Sequence, residues 1–209
     1  MNIDLERILQ ISALILSIVN ALMLLRQYIR DKALLQIKPI HPEDYQWWFR
    51  LPEYEKVGEK IRGYGILAYV GIGNRGLRKV SLASWRLHIT DSSGNKQILK
   101  PISIPDPSFS INLPNGDTYT KILPVLGIAS EKFKGETIID SGCSIIGWAY
   151  FVVEFPLESK LDLRIEGSKA EGIFQVEDIF GRKTRSKMVF TEITLDKAKG
   201  FVKGIEILH

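Results

Sequence analysis

Two patterns of apolar and polar positions divide the chain. From Ile8 to Leu25 the sequence reads ILQISALILSIVNALMLL, 18 residues without a charge. As a helix rising about 1.5 Å per residue this covers roughly 27 Å, close to the thickness of a bilayer core. From Pro39 onward the chain changes to short alternating apolar runs broken by Gly, Pro, Asn and Asp every 8–15 residues or so, the signature of an all-β sandwich or barrel. The first of the 9 prolines is Pro39 and the first of the 17 glycines is Gly58. Nothing before them breaks a helix, which is therefore expected to run on to about Ile37. The expected organisation is a short tail (residues 1–7), a transmembrane helix (8–25), a juxtamembrane helical extension (26–38) and an antiparallel, immunoglobulin-like β-sandwich (39–209).

Within the second region GYGILAYVGIG (63–73) predicts one strand and LRKVSLASWRLHIT (77–90) the next. In the latter, Val80 and Leu82 share one parity while Trp85, Leu87 and Ile89 take the other, so a one-residue bulge is expected near Ser84. Asp91 to Asn95 makes a hairpin turn into 96–100. Pro101, Pro105 and Pro107 mark an edge or crossover, and Leu113 to Asp117 a turn into TYTKILPVL. IIGWAYFVV (145–153) is apolar on both parities, as a strand covered on both faces would be. In KLDLRIEG (160–167), Leu161, Leu163 and Ile165 face inward. GIFQVEDIF and KTRSKMVF flank Gly181-Arg182 as a last hairpin, and a short strand is expected over 201–208. The core is expected to contain Ile66, Val70, Leu87, Trp148, Tyr150, Val152, Leu163 and Phe174.

Charge and chemistry narrow the function mainly by exclusion. With 28 basic and 24 acidic residues the net charge of +4 is mild and scattered, which argues against nucleic acid as a partner. Cys143 is the single cysteine, so no internal disulfide framework exists, and it is expected to be a small buried residue. His41, His88 and His209 stand at no spacing that pairs them with that thiol or with a metal. His88 shares parity with Arg86 and Thr90, which directs it to solvent. The glycines of 63–65 and 71–73 lie inside a strand rather than at a strand-to-helix turn, so they form no dinucleotide loop. No cofactor or metal is indicated, a small-molecule ligand is left open, and the expectation is a protein without enzymatic activity.

Three groups of residues are candidates for contacts. Gln10, Ala13, Ser17, Asn20 and Ala21 lie along one stripe of the apolar helix, where small residues permit close approach and amides seek a partner helix. In the run Tyr45 to Leu51, Tyr45, Trp47, Phe49 and Leu51 face one way, while Trp48, between Gln46 and Arg50 on the other, either covers core at the edge of the sandwich or, with Arg50, forms a platform for a partner. Arg182, Lys183, Arg185 and Lys187 form a basic hairpin able to touch a partner or anionic lipid. Asp178 shares parity with Phe174 and Val176, and is expected to accept turn amides or pair with Arg182 or Arg185. Arg26, Arg30, Lys32 and Lys38 outweigh Arg7, so the positive-inside rule places the C-terminal side in the cytoplasm. The sequence thus predicts a single-pass protein of the cell membrane whose cytoplasmic β domain binds a protein partner or associates with itself. The alternative is an extracytoplasmic ligand-binding or envelope-associated domain on the same anchor.

Overall fold

A computed structural model describes residues 5–30, 34–104, 108–112, 118–122, 137–202 and 204–205. Helix α1 is Leu5–Arg30. Its stretch Ile8–Tyr28 has a mean hydropathy of 2.3, is not buried by the rest of the chain, and is long and apolar enough to cross a membrane or to act as a signal sequence. The helix does not continue to Ile37. Leu35–Pro39 is instead strand β1, paired antiparallel with Gly71 to Asn74 and Val70. Proline at 39 disfavours helical geometry for Lys38, and a strand lets Ile37 bury its side chain beside Ile72.

The remaining strands are β2 Gln46–Arg50, β3 Tyr54–Lys56, β4 Glu59–Asn74, β5 Val80–Thr90, β6 Lys96–Leu99 and β7 Pro101–Ile102, then β8 Ser108–Asn112, β9 Thr118–Ile122 and β10 Thr137–Ile139. After them come β11 Ser144–Pro156, β12 Ile165–Glu166, β13 Lys169–Asp178 and β14 Lys183–Glu192, and a short helix α2, Leu195–Phe201. The all-β core holds, but not as two separate sheets of an immunoglobulin-like sandwich. One sheet of 12 strands runs β10-β5-β13-β14-β2-β4-β11-β7, with β8 and β9 as a separate hairpin. A short parallel pairing of Thr191 and Glu192 with Trp47 and Trp48 joins what would be two sheets into one curled, barrel-like wall. The bulge appears where expected: the β5–β13 register slips between Glu177 and Asp178, so that Ala83 is passed over.

The wall has two apolar faces. Inside lie Ile66, Val70, Leu87, Leu163 and Phe174 with Trp48, Phe151, Val153 and Phe190. Outside β2, β4 and β11 a second cluster, Trp47, Phe49, Leu67, Trp148 and Tyr150, is covered by Ala198, Val202 and Ile205 from α2 and the residues after it. The double parity of 145–153 reflects these two cores. Trp148 and Tyr150 belong to the outer one, and Val152 is only half-buried there, whereas Val153 is inside. Gly65 is required by this arrangement, because a Cβ there would fall 2.5 Å from Phe49 Cε2. The stretch expected to be polar and then a strand begins as α2, capped by Thr194, whose Oγ1 accepts from Lys197 N at 3.3 Å. Its continuation over 206–209, including His209, lies outside the described residues, as do Pro105, Pro107 and the turn 113–117.

Candidate functional site

Strand directions give the barrel two distinct ends. The chain arriving from α1 is fixed at one of them: Leu34 N donates to Asn74 Oδ1 at 3.3 Å, and Arg75 N donates to Leu34 O at 2.8 Å. The buried Asn74 amide also donates to Arg78 O at 2.7 Å and Ile139 O at 3.2 Å, tying the β4–β5 and β10–β11 connections together. Asn74 N completes the junction by donating to Cys143 O at 2.9 Å. The β13–β14 hairpin reaches the same end, since Ile179 N donates to Ser81 O at 3.1 Å. As expected, Asp178 Oδ1 accepts two turn amides, Phe180 N at 2.8 Å and Arg182 N at 2.9 Å, which holds a buried carboxylate without a cationic partner.

These three connections carry Arg75, Arg78, Lys79 and Arg182 against a single acid, Asp140, and Lys183 follows immediately, opposite Glu177. None of the five cations forms an ion pair among the described residues. Between them stand exposed apolar side chains: Leu77, Ile179 and, at 73% exposure, Phe180. The Arg182 guanidinium lies 5.7 Å from the Phe180 ring centroid. Sequence reading found Arg182 and Lys183 but missed Arg75, Arg78, Lys79 and these apolar neighbours. The available signal was Leu77 and Phe180, large apolar residues set in Gly- and Arg-rich turns.

A second surface covers the outer side of β5, β13 and β14. A cleft of about 430 Å³ is lined by Thr90, Arg164, Glu166, Lys169, Glu171 and Val189. It shares Thr90 and Glu171 with a hollow of about 110 Å³ that includes His88, Lys96, Ile173 and Lys187. Ile98, His88, Ile173 and Lys187 form one cross-strand row, in which Ile98 and Ile173 are exposed. Lys187 pairs with Glu171 at 2.8 Å, and Arg164 with Glu166 at 2.8 Å. His88 is half-buried rather than solvated, because Gln175 and Arg185 close over it. Arg185 Nε donates to Gln175 Oε1 at 2.8 Å. Burial, followed by the nearby Arg185 charge, pushes the His88 pKa down, so the ring is neutral at pH 7.

Several other expectations change. Trp48 is no surface platform: it is fully buried, and its Nε1 donates to Ser168 O at 3.0 Å. A Trp at this position fills the barrel interior more effectively than any smaller residue. Arg50 is exposed and 3.8 Å from Glu192. Cys143 is exposed, because its turn is used for backbone bonds to Asn74 and not for packing. The basic hairpin is split by strand geometry, with Arg182 and Lys183 at the α1-proximal end and Arg185 and Lys187 along the outer face. The stripe Gln10, Ala13, Ser17, Asn20 and Ala21 lies on α1, exposed throughout.

No family model matches the chain, and no curated protein does. Two solved structures are distantly similar. A candidate ApaA protein from Bordetella pertussis is similar at 11% identity over 78% of this chain and 96% of that chain, with a TM-score of 0.32. A structural-genomics target, SoR45, is similar at 9% identity over 80% of this chain and 90% of that chain, with a TM-score of 0.31. Likenesses this weak carry no argument about this protein.

Proposed function

We propose that the chain is a single-pass membrane protein whose barrel-like domain acts without catalysis as a protein-binding module at the cytoplasmic face. The observation that carries this reading is α1: an apolar stretch of 21 residues that the other described residues leave uncovered. Leaving that much apolar surface in water is unfavourable at about 25 cal/mol per Å², and a bilayer removes the cost. The basic flank Arg26, Arg30, Lys32 and Lys38 favours the cytoplasmic side. The partner surface is the outer face of β5, β13 and β14, where Ile98, Ile173 and Val189 are exposed beside Arg86, Lys96 and Arg185, with Lys187 paired to Glu171. Apolar anchors ringed by cations suit a partner protein with an acidic, partly apolar surface.

Three measurements test this. Full-length chain should resist alkaline carbonate extraction, and exposed Cys143 should react with an impermeant thiol reagent only after cells are permeabilised. Carbonate release contradicts the anchor, and labelling of intact cells favours the extracytoplasmic reading. A photo-crosslinker at Ile173 should capture a discrete partner in native membranes, while one at Val57 should not. Identical products at both positions would remove the outer face as the partner surface.

A further inference from the structure

We infer that the α1-proximal end of the barrel is a docking surface for an anionic lipid bilayer, the same bilayer that α1 crosses. The inference rests on the membrane-spanning reading of α1 and adds what the barrel itself does at the surface.

The link between α1 and the barrel is short. From Arg30, the last residue of α1, to Leu34, which is bonded to Asn74 and Arg75, there are four Cα steps. Fully extended they cover at most about 14 Å. The connections 75–79, 140–143 and 179–182 share that end, so the tether keeps this end of the barrel, rather than the other, within reach of the headgroup layer.

The composition of this end points the same way. Four cations in those connections face a single acid, Asp140; of the carboxylates just behind them, Asp178 is committed to turn amides and Glu177 stands opposite Lys183. Phe180, Ile179 and Leu77 project where a soluble protein gains nothing by exposing them. An aromatic and two aliphatic side chains ringed by Arg and Lys match an interface that is apolar below and anionic above. The arrangement is also built: Asp178 fixes the hairpin that displays Phe180, and Asn74 ties the incoming chain to the loop that displays Leu77. Electrostatic attraction to the anionic leaflet contributes about fivefold in the docked-to-free ratio per cation near the surface.

Docking has a consequence for the partner surface. With this end seated on lipid, the cleft lined by Thr90, Arg164 and Lys169 lies toward the opposite end of β5 and β13, turned to the aqueous side and clear of the headgroups.

The test uses the full-length chain in lipid nanodiscs, which are open on both sides and so independent of sidedness in the cell. An environment-sensitive dye on native Cys143 reports the proximal end. The same dye on Ser93→Cys, in a Cys143→Ser background, reports the distal β5–β6 turn. In discs of phosphatidylcholine with phosphatidylserine the Cys143 dye should shift to the blue relative to phosphatidylcholine alone, and the Ser93→Cys dye should not. The double change Arg78→Gln with Arg182→Gln should lower the docked fraction about 25-fold in ratio, and salt near 1 M, where screening acts within about 3 Å, should do likewise. Equal spectra at the two positions, or indifference to phosphatidylserine, overturns the docking surface while leaving the anchor standing. Failure of the chain to co-float with the discs instead overturns the anchor, and the docking inference with it.

Discussion

The two ends of the barrel use charge in opposite ways. At the distal end several charged groups are spent on one another: Asp162 accepts from Tyr64 at 2.5 Å and from Arg62 at 3.0 Å, and Glu154 takes Lys56 at 2.5 Å together with the Tyr54 hydroxyl. Asp91 accepts Ser93 N at 2.9 Å and Asn95 N at 2.8 Å, closing the β5–β6 turn. At the proximal end the carboxylate of Asp178 does similar turn work, but the cations around it are left without acids. Both ends are made of short connections on the same strands, so the difference is one of side chains, not scaffold. Charges satisfied internally hold a fold together, and charges left over are available to something outside it.

The comparison presupposes a single rigid wall joining the ends, which Val153→Asp tests most severely. Val153 is 1% exposed in the interior, and an unpaired carboxylate there should cost more than 4 kcal/mol and prevent cooperative folding. Val152→Asp, half-buried on the α2 side, should be markedly milder in the same denaturant titration. Equal effects would mean that the two faces of β11 are not distinct.

Next in size is Asp178→Ala, expected to cost about 1–3 kcal/mol by leaving two turn amides unpaired. The loss should appear in thermal unfolding and in faster amide exchange at Phe180 and Arg182. A neutral result would mean that the proximal end is held only by its packing.

How much of this was legible in sequence depends on whether the signal was local. The apolar helix, the bulge near Ser84, the Asp91 turn and the role of Asp178 follow from parity and turn chemistry within a few residues. The curling of the sheet through Thr191 and Glu192 onto Trp47 and Trp48 joins positions more than a hundred residues apart, and no local pattern encodes it. The same long-range pairing buries Trp48, which by parity alone looked like a surface residue beside Arg50. Alternation also cannot tell an interior from an outer face roofed by α2, which is why Trp148 and Tyr150 read as members of one core. The basic end was half visible as Arg182 and Lys183. Its other half, Arg75 to Lys79, joins it only because β4, β5 and β13 bring the two turns together.

The distal end can be probed by pH. Burial first, then its hydrogen bond to Asp162, raises the Tyr64 pKa from 10.0 to about 12. The folded protein therefore holds this proton more tightly than the unfolded chain does, so the stabilisation is intact below pH 10 and is lost as the pH rises toward 12. Phenolate absorbance should show a late-titrating class of tyrosine, and Tyr64→Phe should flatten the alkaline loss of stability. Ionisation of Tyr64 near pH 10 without unfolding would show that the distal network is open to water. Smaller still is the helix stripe, where Ser17→Leu with Asn20→Leu should preserve insertion and weaken helix cross-linking by about 0.6–2 kcal/mol. Unchanged cross-linking would make the stripe ordinary lipid-facing sequence.

The smallest expected effect is the most direct test of the contrast. Changing Arg75, Arg78 and Lys79 together to Ala removes three charges that pair with nothing among the described residues, so thermal stability in detergent should move by no more than about 0.5 kcal/mol. The change should, if anything, be favourable, because it relieves repulsion among like charges a few residues apart. At the distal end the single change Arg62→Ala takes one of the two side-chain partners from Asp162 and should cost more than the proximal triple, about 1 kcal/mol. Raising the salt concentration should therefore stabilise the wild type locally at the proximal end and slightly weaken the distal one. If the triple variant proves less stable than Arg62→Ala, the proximal cations serve the fold after all, and the asymmetry between the two ends loses its functional meaning.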